Sequence, residues 1–417
     1  MSKPGRHWLI RNAPWLLAAS LVPHVALLVF GLRTDGLIDL RVFRSLPPAL
    51  LTGQLYDVRL VLHGTSIFPL PFSYPPFAAL LFLPMSALPW TVVGVLWDAA
   101  SLLCLAWFVH RCLSLTGVRD ARVTMVWTAG LLWIEPVQTT LDFGQVNLFL
   151  AALTLWALTQ RNAWATGLGT GIATAVKLVP GISVLYLLAT RRRSAAACWA
   201  AVCAATAGVA WLISPAASER FWFHLLGDAG RDGPIGSVIN QSLRGALSRT
   251  AGHDVGTTAP WLIAAALAVV LAVRALRTAI RHDDAFAAIV TVELLGLLLS
   301  PISWDHHWVW AAAVIIWSAP RRSAVGRLPC WAWTAATATW PVTLLLRLQP
   351  TIWAFSRPWY LSALGWVYPA CAVVTFLCIA AAPGEQAADA PREAVMRNPP
   401  TLVGDPPDSR ALPPPAG

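Results

Sequence analysis

The chain has 417 residues, of which 57% are hydrophobic and 12% charged, and its mean hydropathy is +0.61. Soluble domains carry about 25% charged residues, so half that share excludes an ordinary soluble enzyme and, more firmly, a disordered chain. The net charge of +10, from 30 Lys and Arg against 20 Asp and Glu, does not point to nucleic acid: the basic residues sit in short loops between apolar runs, and no RNA- or DNA-binding motif is present.

In chain order, apolar runs suited to crossing a bilayer as helices fall at about 14–32, 91–109, 123–138, 145–160, 164–190, 194–213, 259–280, 285–300, 308–319, 329–346 and 359–382. Lys3, Arg6 and Arg11 precede the first run, which is long for a secretory leader and has no small-residue cleavage site after it. An uncleaved first span is expected. The run 164–190 holds Lys177-Leu178-Val179-Pro180 near its middle, which reads as two short helices or a re-entrant pair and brings the total to roughly twelve crossings. The segment 67–90 is too rich in proline for a straight span; it is expected to lie in the interface or to dip in and return.

Orientation follows from the loops. Those with Arg111, Arg119 and Arg122, with Arg161, with Arg191–Arg193, with Arg274, Arg277 and Arg281, and with Arg321, Arg322 and Arg327 are short and basic. The positive-inside rule puts them, and both termini, in the cytoplasm of a multi-pass plasma-membrane protein. The longer segments 33–90, 139–144, 214–258, 301–307 and 347–358 then face outward. All seven cysteines fall in or beside apolar runs, so packed, reduced thiols are expected in place of a disulfide framework. Residues 1–382 read as one membrane domain without an internal repeat, and 383–417 as a disordered, proline-rich cytoplasmic tail.

Ionisable groups near lipid are expensive, so those present are informative. Asp39 follows the first span in Asp35-Gly-Leu-Ile-Asp39, either as a solvated loop carboxylate or as a general base for a substrate hydroxyl; Asp35 is four residues away, at a spacing that shares a face if the stretch is helical, which Gly36 disfavours. Ser300-Pro-Ile-Ser303-Trp304-Asp305-His306-His307-Trp308 concentrates polar and aromatic groups at an outer span end. It serves as an interfacial anchor or as a proton-transfer or phosphate-binding cluster. Adjacent histidines diverge by about 100° on a helix, and no convincing set of further ligands accompanies them, so no metal is expected. Lys177 needs a polar cavity, an anion such as phosphate, or an interface to snorkel to. In the loop 214–258, Asn240, Gln241 and Ser242 offer neutral groups suited to sugar hydroxyls, and Arg244 a clamp for phosphate. Asp142-Phe-Gly-Gln145-Val-Asn147 is a similar, weaker polar turn.

Taken in order, Asp39, Gly53-Gln-Leu-Tyr56, Pro71-Phe-Ser-Tyr74-Pro-Pro76-Phe, Gly144-Gln-Val-Asn147-Leu, Lys177-Leu-Val-Pro180, Asn240-Gln-Ser-Leu-Arg-Gly245 and the 300–308 cluster resemble family 87 of the GT-C glycosyltransferases. The resemblance covers about residues 14–382. It implies an all-α polytopic GT-C fold with an extracytoplasmic active site, a polyprenyl-phosphate-linked mannose as donor, and a glycolipid or lipoglycan acceptor. It also implies inverting transfer, with α-(1→2) linkages formed, and a catalytic base at Asp39 or at the His306/His307 pair, the choice left open because no strict Asp-X-Asp pattern is present. Arabinofuranose donors also occur in the family. A lipid-phosphate leaving group needs no acid catalyst and no divalent metal, only positive charge, for which Lys177, Arg244 or a protonated His307 are the candidates. Tyr74, Gln145, Asn147, Asp305, Trp304, Asn240 and Gln241 complete the expected donor site. A lipid or anion transporter is the competing class; the lack of an inverted repeat and the gathering of polar clusters on one face argue against it.

Overall fold

The computed structural model describes residues 3–62, 69–349, 351–355 and 357–381; the expected tail lies outside the described residues. In chain order the helices are α1 (Lys3–Arg11), α2 (Ala13–Arg33), α3 (Ile38–Ser45), α4 (Pro76–Phe82), α5 (Trp90–Leu115), α6 (Ala121–Leu131) and α7 (Glu135–Phe143). They continue with α8 (Asn147–Leu158), α9 (Ala163–Val176), α10 (Val184–Ala189), α11 (Arg193–Ile213), α12 (Pro215–Glu219), α13 (Leu243–Ala251) and α14 (Ala259–Arg281). The last are α15 (Ala285–Leu299), α16 (Ala311–Ser318), α17 (Ala324–Ala338), α18 (Pro341–Arg347), α19 (Trp359–Leu364) and α20 (Val367–Ala381).

Among the described residues four helices, α2, α5, α11 and α14, are each long and apolar enough to cross a membrane, and α7 with α8 qualifies as a pair bent by 119°. Roughly twelve crossings would also require shorter pieces. At 1.5 Å per residue, the 15 residues of α15 rise about 22 Å, against a hydrocarbon core of about 30 Å. That the solvent of this fold is lipid is clearest in α14. Ala265, Ala268, Ala272, Ala275 and Ala279 recur at helical spacing and are buried, while Leu262, Ile263, Leu267 and Val270 are exposed. Small residues facing inward let helices approach closely, and large apolar residues facing outward suit a bilayer; water would favour the reverse.

Where the sequence expects one span over 123–138, the structure has two helices. α6 ends at Leu131 and α7 starts at Glu135, because Pro136 lacks the amide needed to continue α6 but fits the first turn of α7. The 164–190 run does split in two: α9 ends at Val176, Lys177 has extended backbone (φ −148°, ψ 129°), and a 3₁₀ turn, Val179–Ser183, leads into α10. The run 329–346 also breaks, at Trp340, whose φ is 52°, just before Pro341. The 67–90 segment forms the short α4 and a 3₁₀ turn, Leu83–Ala87. The fold departs from all-α in one small respect: β1 (Arg59–Leu60) pairs antiparallel with β2 (Leu70–Pro71), with Leu60 opposite Leu70.

Two apolar cores result. The larger joins α5, α7, α8, α14 to α17 and α20. The smaller packs the segment after α2 onto α8, α9 and Phe221, with Phe43, Phe72, Tyr74 and Phe82 at its centre. All seven cysteines are free thiols.

Candidate active site

A cavity of about 640 Å³ opens where α3, the Leu70–Pro75 stretch, the α7–α8 elbow, the break after α9 and the 300–307 turn converge. Asp39, Tyr74, Gln145, Lys177, Trp304, and the histidines His306 and His307 all line it. Most of the remaining wall is apolar, including Val42, Phe143, Phe221 and Leu225.

Asp39 sits in the first turn of α3. The preceding Leu37 takes a left-handed conformation (φ 53°), and its amide donates to the Asp142 carbonyl at 3.0 Å, which ties α3 to the end of α7. Gly144 closes α7 with φ +67°, and a Cβ there would lie 2.5 Å from Leu40 Cβ. Only glycine permits that approach, and the approach brings Gln145 beside Asp39. Gln145 Oε1 accepts from the Tyr74 hydroxyl at 2.7 Å and the Val146 amide at 3.3 Å, leaving Nε2 to donate to the Asp39 carboxylate. Burial pushes the Asp39 carboxyl above its ordinary range, with His306, Gln145 and Lys177 pulling the other way. A carboxylate so raised suits a base working near neutral pH. Asp35 lies ahead of α3 and does not share a helix face with Asp39, contrary to the spacing argument.

The second half of the site is cationic. Lys177 Nζ donates to Asn147 Oδ1 at 2.9 Å and lies 2.9 Å from His307 Nε2, 5.4 Å from the Tyr74 ring centre. Asn147 Nδ2 donates to the His306 carbonyl at 2.8 Å, as does the Thr140 hydroxyl at 2.9 Å. These bonds leave Oδ1 of Asn147 for the ammonium. An ammonium has no lone pair, so His307 Nε2 accepts and its proton resides on Nδ1. Burial, then Lys177, then His306 hold the His307 imidazole well below its usual range. A protonated His307 as a source of positive charge is therefore overturned: it is neutral beside Lys177. The His306 ring meets Phe143 and His307 edge-on, at 5.2 and 4.7 Å. Its Nδ1 is 3.5 Å from Asp305 Oδ1, too long for a good hydrogen bond.

Other expected contact residues have different work. The backbone bridge between Asn240 and Trp304 is fixed by Asp305 N to Ile239 O and Gln241 N to Ser303 O, both 2.8 Å. Asn240 Oδ1 accepts from Ser303 N at 2.9 Å and Nδ2 donates to Pro301 O at 3.1 Å. Gln241 Nε2 donates to Val238 O at 2.7 Å, and its Oε1 accepts from Tyr368 N. Both side chains are fully buried and neither lines the cavity; Asn240 holds the 300–307 turn from behind, and Gln241 ties its own loop to the start of α20. Asp305 is also buried off the cavity wall, and Asn147 acts through Lys177. Arg244 is not in the lining; it grips Asp254 through two bonds of 3.0 and 2.7 Å. The cation the sequence reading missed is Arg231, which lines the cavity, donates to Ser73 O at 3.1 Å and lies over the Tyr56 and Phe221 rings. It stands in the same 214–258 loop as Arg244, and nothing in its spacing distinguishes it. Among the described residues no group of three or more His, Cys, Asp and Glu side chains is placed to share a metal ion.

Residues 72–301 match glycosyltransferase family 87. The chain is 41% identical over 382 residues to a polyprenol-phosphate-mannose-dependent alpha-(1-2)-phosphatidylinositol pentamannoside mannosyltransferase of Mycolicibacterium smegmatis, covering 90% of this chain and 93% of that one. A protein with the same name from Mycobacterium tuberculosis is 40% identical over 391 residues, 91% of this chain and 89% of its own length. A polyprenol-phosphate-mannose-dependent alpha-(1-2)-phosphatidylinositol mannoside mannosyltransferase of Mycobacterium tuberculosis is 31% identical over 320 residues, 72% of this chain and 74% of that one. No solved structure matches. A carboxylate and a lysine facing one largely apolar cavity, set in a helical membrane domain, are the equipment for moving a sugar from a lipid phosphate, and the chain belongs to glycosyltransferase family 87.

Proposed function

We propose that the protein transfers mannose from a polyprenyl-phosphate donor to a hydroxyl of a phosphatidylinositol mannoside, forming an α-(1→2) linkage with inversion. One observation carries the reading: a single cavity joins Asp39, held by Gln145, to Lys177, held by Asn147 and His307, within largely apolar walls. Asp39 takes the proton of the acceptor hydroxyl as its oxygen attacks the anomeric carbon. The bond from that carbon to the phosphate oxygen breaks, and the electron pair leaves with the polyprenyl phosphate. Lys177, with Arg231 on the same wall, compensates the charge that grows on the phosphate. An inverting reaction that ends in an α linkage starts from a β-linked donor. Neutral His307 and Asn147 aim the ammonium, and Trp304 and Tyr74 border the space for the sugar.

The more similar relatives are named for a pentamannoside acceptor and the 31% relative for a mannoside, which supports the larger glycolipid as the acceptor here and mannose over arabinofuranose as the sugar. The basic short loops support N- and C-termini in the cytoplasm and a cavity open to the outside. The reading is tested with purified protein in lipid bilayers, radiolabelled polyprenyl-phosphate mannose or arabinose, and phosphatidylinositol mannosides of graded size. A labelled product from the pentamannoside, sensitive to an α-(1→2)-specific mannosidase, is expected. Transfer from the arabinose donor alone, or from neither, would refute it.

A further inference from the structure

One buried acid goes unused by this chemistry. Glu293 stands in the middle of α15, the only ionisable residue in Ala285–Leu299, and is 3% exposed. Gly296, one turn on, lies so close to the Val179–Ser183 turn that a Cβ would meet Ile182 Cγ2 at 2.7 Å. That approach lets the Ser183 hydroxyl donate to Glu293 Oε1 at 2.6 Å. The turn starts just after Lys177, so Glu293 packs against the segment that carries the site's cation.

A second cavity, of about 40 Å³, shares Lys177, Val179 and His307 with the main one and is otherwise walled by residues including Asn147, Thr154 and Glu293. A water needs about 10–15 Å³ of such space and two or more polar partners. Two are at hand with no protein partner: the Thr154 hydroxyl and Nδ1 of His307 are both buried and unbonded. Nδ1 is the atom on which Lys177 leaves the imidazole proton, so it must donate.

We propose that Glu293 is a positioning residue for transfer, holding the Nδ1–H of His307 through water in this small cavity and so keeping the Nε2 lone pair on the Lys177 ammonium. The inference rests on the transfer reaction proposed above. Its chain is Ser183, Glu293, water, His307 and Lys177, so Glu293 acts on the donor phosphate through Lys177 and does not itself touch substrate. Losing an outer hydrogen-bond partner of a ligating histidine costs about 10–100-fold in metal sites, and a loss of that order is expected here.

The test compares wild type, Glu293→Leu, Glu293→Gln, His307→Ala and the double variant Glu293→Leu/His307→Ala in the same bilayers. Glu293→Leu should lower kcat by about 10-fold or more with the acceptor KM unchanged, because Asp39 and its side of the cavity are untouched. Glu293→Gln, which keeps an accepting oxygen, should recover most of the rate. In the His307→Ala background Glu293→Leu should cost nothing further. An equal loss in both backgrounds, or a Gln variant as slow as Leu, overturns the proposal in favour of simple packing. A density map of wild type fine enough to show ordered water gives an answer independent of turnover. Water bonded to Glu293 and His307 supports the inference, and a dry cavity overturns it. A wild type that transfers no mannose refutes the functional reading instead, and the map still decides the water bridge.

Discussion

Replacing Asp39 with Asn removes an oxygen that can take a proton and leaves its surroundings in place. Asn has nearly the same size, and its Oδ1 can accept the bond that Gln145 gives the carboxylate. Loss of a general base costs ~10²–10⁴ in rate, which at about 1.36 kcal/mol per decade is about 2.7–5.4 kcal/mol of transition-state stabilisation. Stability should move the other way. Burial raises the Asp39 pKa in the folded protein, so between the ordinary aspartate value and the raised one the folded state binds more protons than the unfolded state. The contribution of Asp39 to stability is therefore full below the ordinary value and is lost as pH rises through the raised one. At neutral pH the wild type carries that loss and Asn does not, so Asp39→Asn should melt at or above the wild-type temperature while turning over barely at all. The assay is single-turnover mannosyl transfer across a pH series, with thermal unfolding of the same samples. Wild-type kcat/KM should fall as pH drops through the raised Asp39 pKa, and that limb should vanish from the residual activity of the variant. Near-wild-type turnover by Asp39→Asn, with His306→Ala or His307→Ala inactive, would refute the assignment and move the base to the histidines.

Lys177→Met should weaken donor binding and lower kcat together, read as a rise in donor KM with a larger fall in kcat/KM. Arg244→Ala should leave transfer kinetics within about twofold and act on stability, since a partly exposed ion pair such as that with Asp254 is worth about 0–1 kcal/mol; thermal unfolding beside steady-state rates separates the two. EDTA should leave transfer intact, because the lipid monophosphate needs charge that Lys177 and Arg231 can supply; loss of activity restored by one divalent ion refutes this. Single cysteines placed at the exposed His253 of the 214–258 loop should react with an impermeant thiol reagent on intact cells, and ones at the exposed Arg191 should not; the reverse pattern overturns the orientation.

The span-forming runs and Lys177's place in a helix break were legible because hydropathy and proline act locally. The ordered motifs were enough to bring Asp39, Tyr74, Gln145, Lys177, Trp304, His306 and His307 into one expectation, and the fold gathers them. What sequence could not separate was contact from scaffold. Asn240 and Gln241 look like sugar ligands because free amides are, but the Asn240 amide is spent on the backbone of the 300–307 turn and the Gln241 amide on the backbone of Val238 and Tyr368. Arg244 and Arg231 sit 13 positions apart in one loop, and only the fold gives one of them Asp254 and the other the cavity. Glu293 was passed over inside the 285–300 run, although an acid in an apolar run is a signal that outweighs its neighbours' hydropathy. The break at Leu132–Ile134 was missed although Glu135 and Pro136 mark it; the apolar residues on its N-terminal side read as one continuous run.

The elbow at Gly144 makes this stretch intolerant of any change in length. Between Gly144 and Asn147 the chain touches α3, supplies the amide on Asp39 and then the amide on Lys177. One residue more or less would rotate all of α8 by about 100° relative to α7, sending Asn147 away from the ammonium while Gln145 lost its register with the carboxylate. Point substitutions can be absorbed one role at a time, whereas a shift in count strikes the proton acceptor and the phosphate cation together. Drift in this lineage should therefore appear as exchanges of residue identity at the elbow and as variable length elsewhere, in the stretch between β1 and β2 or beyond α20.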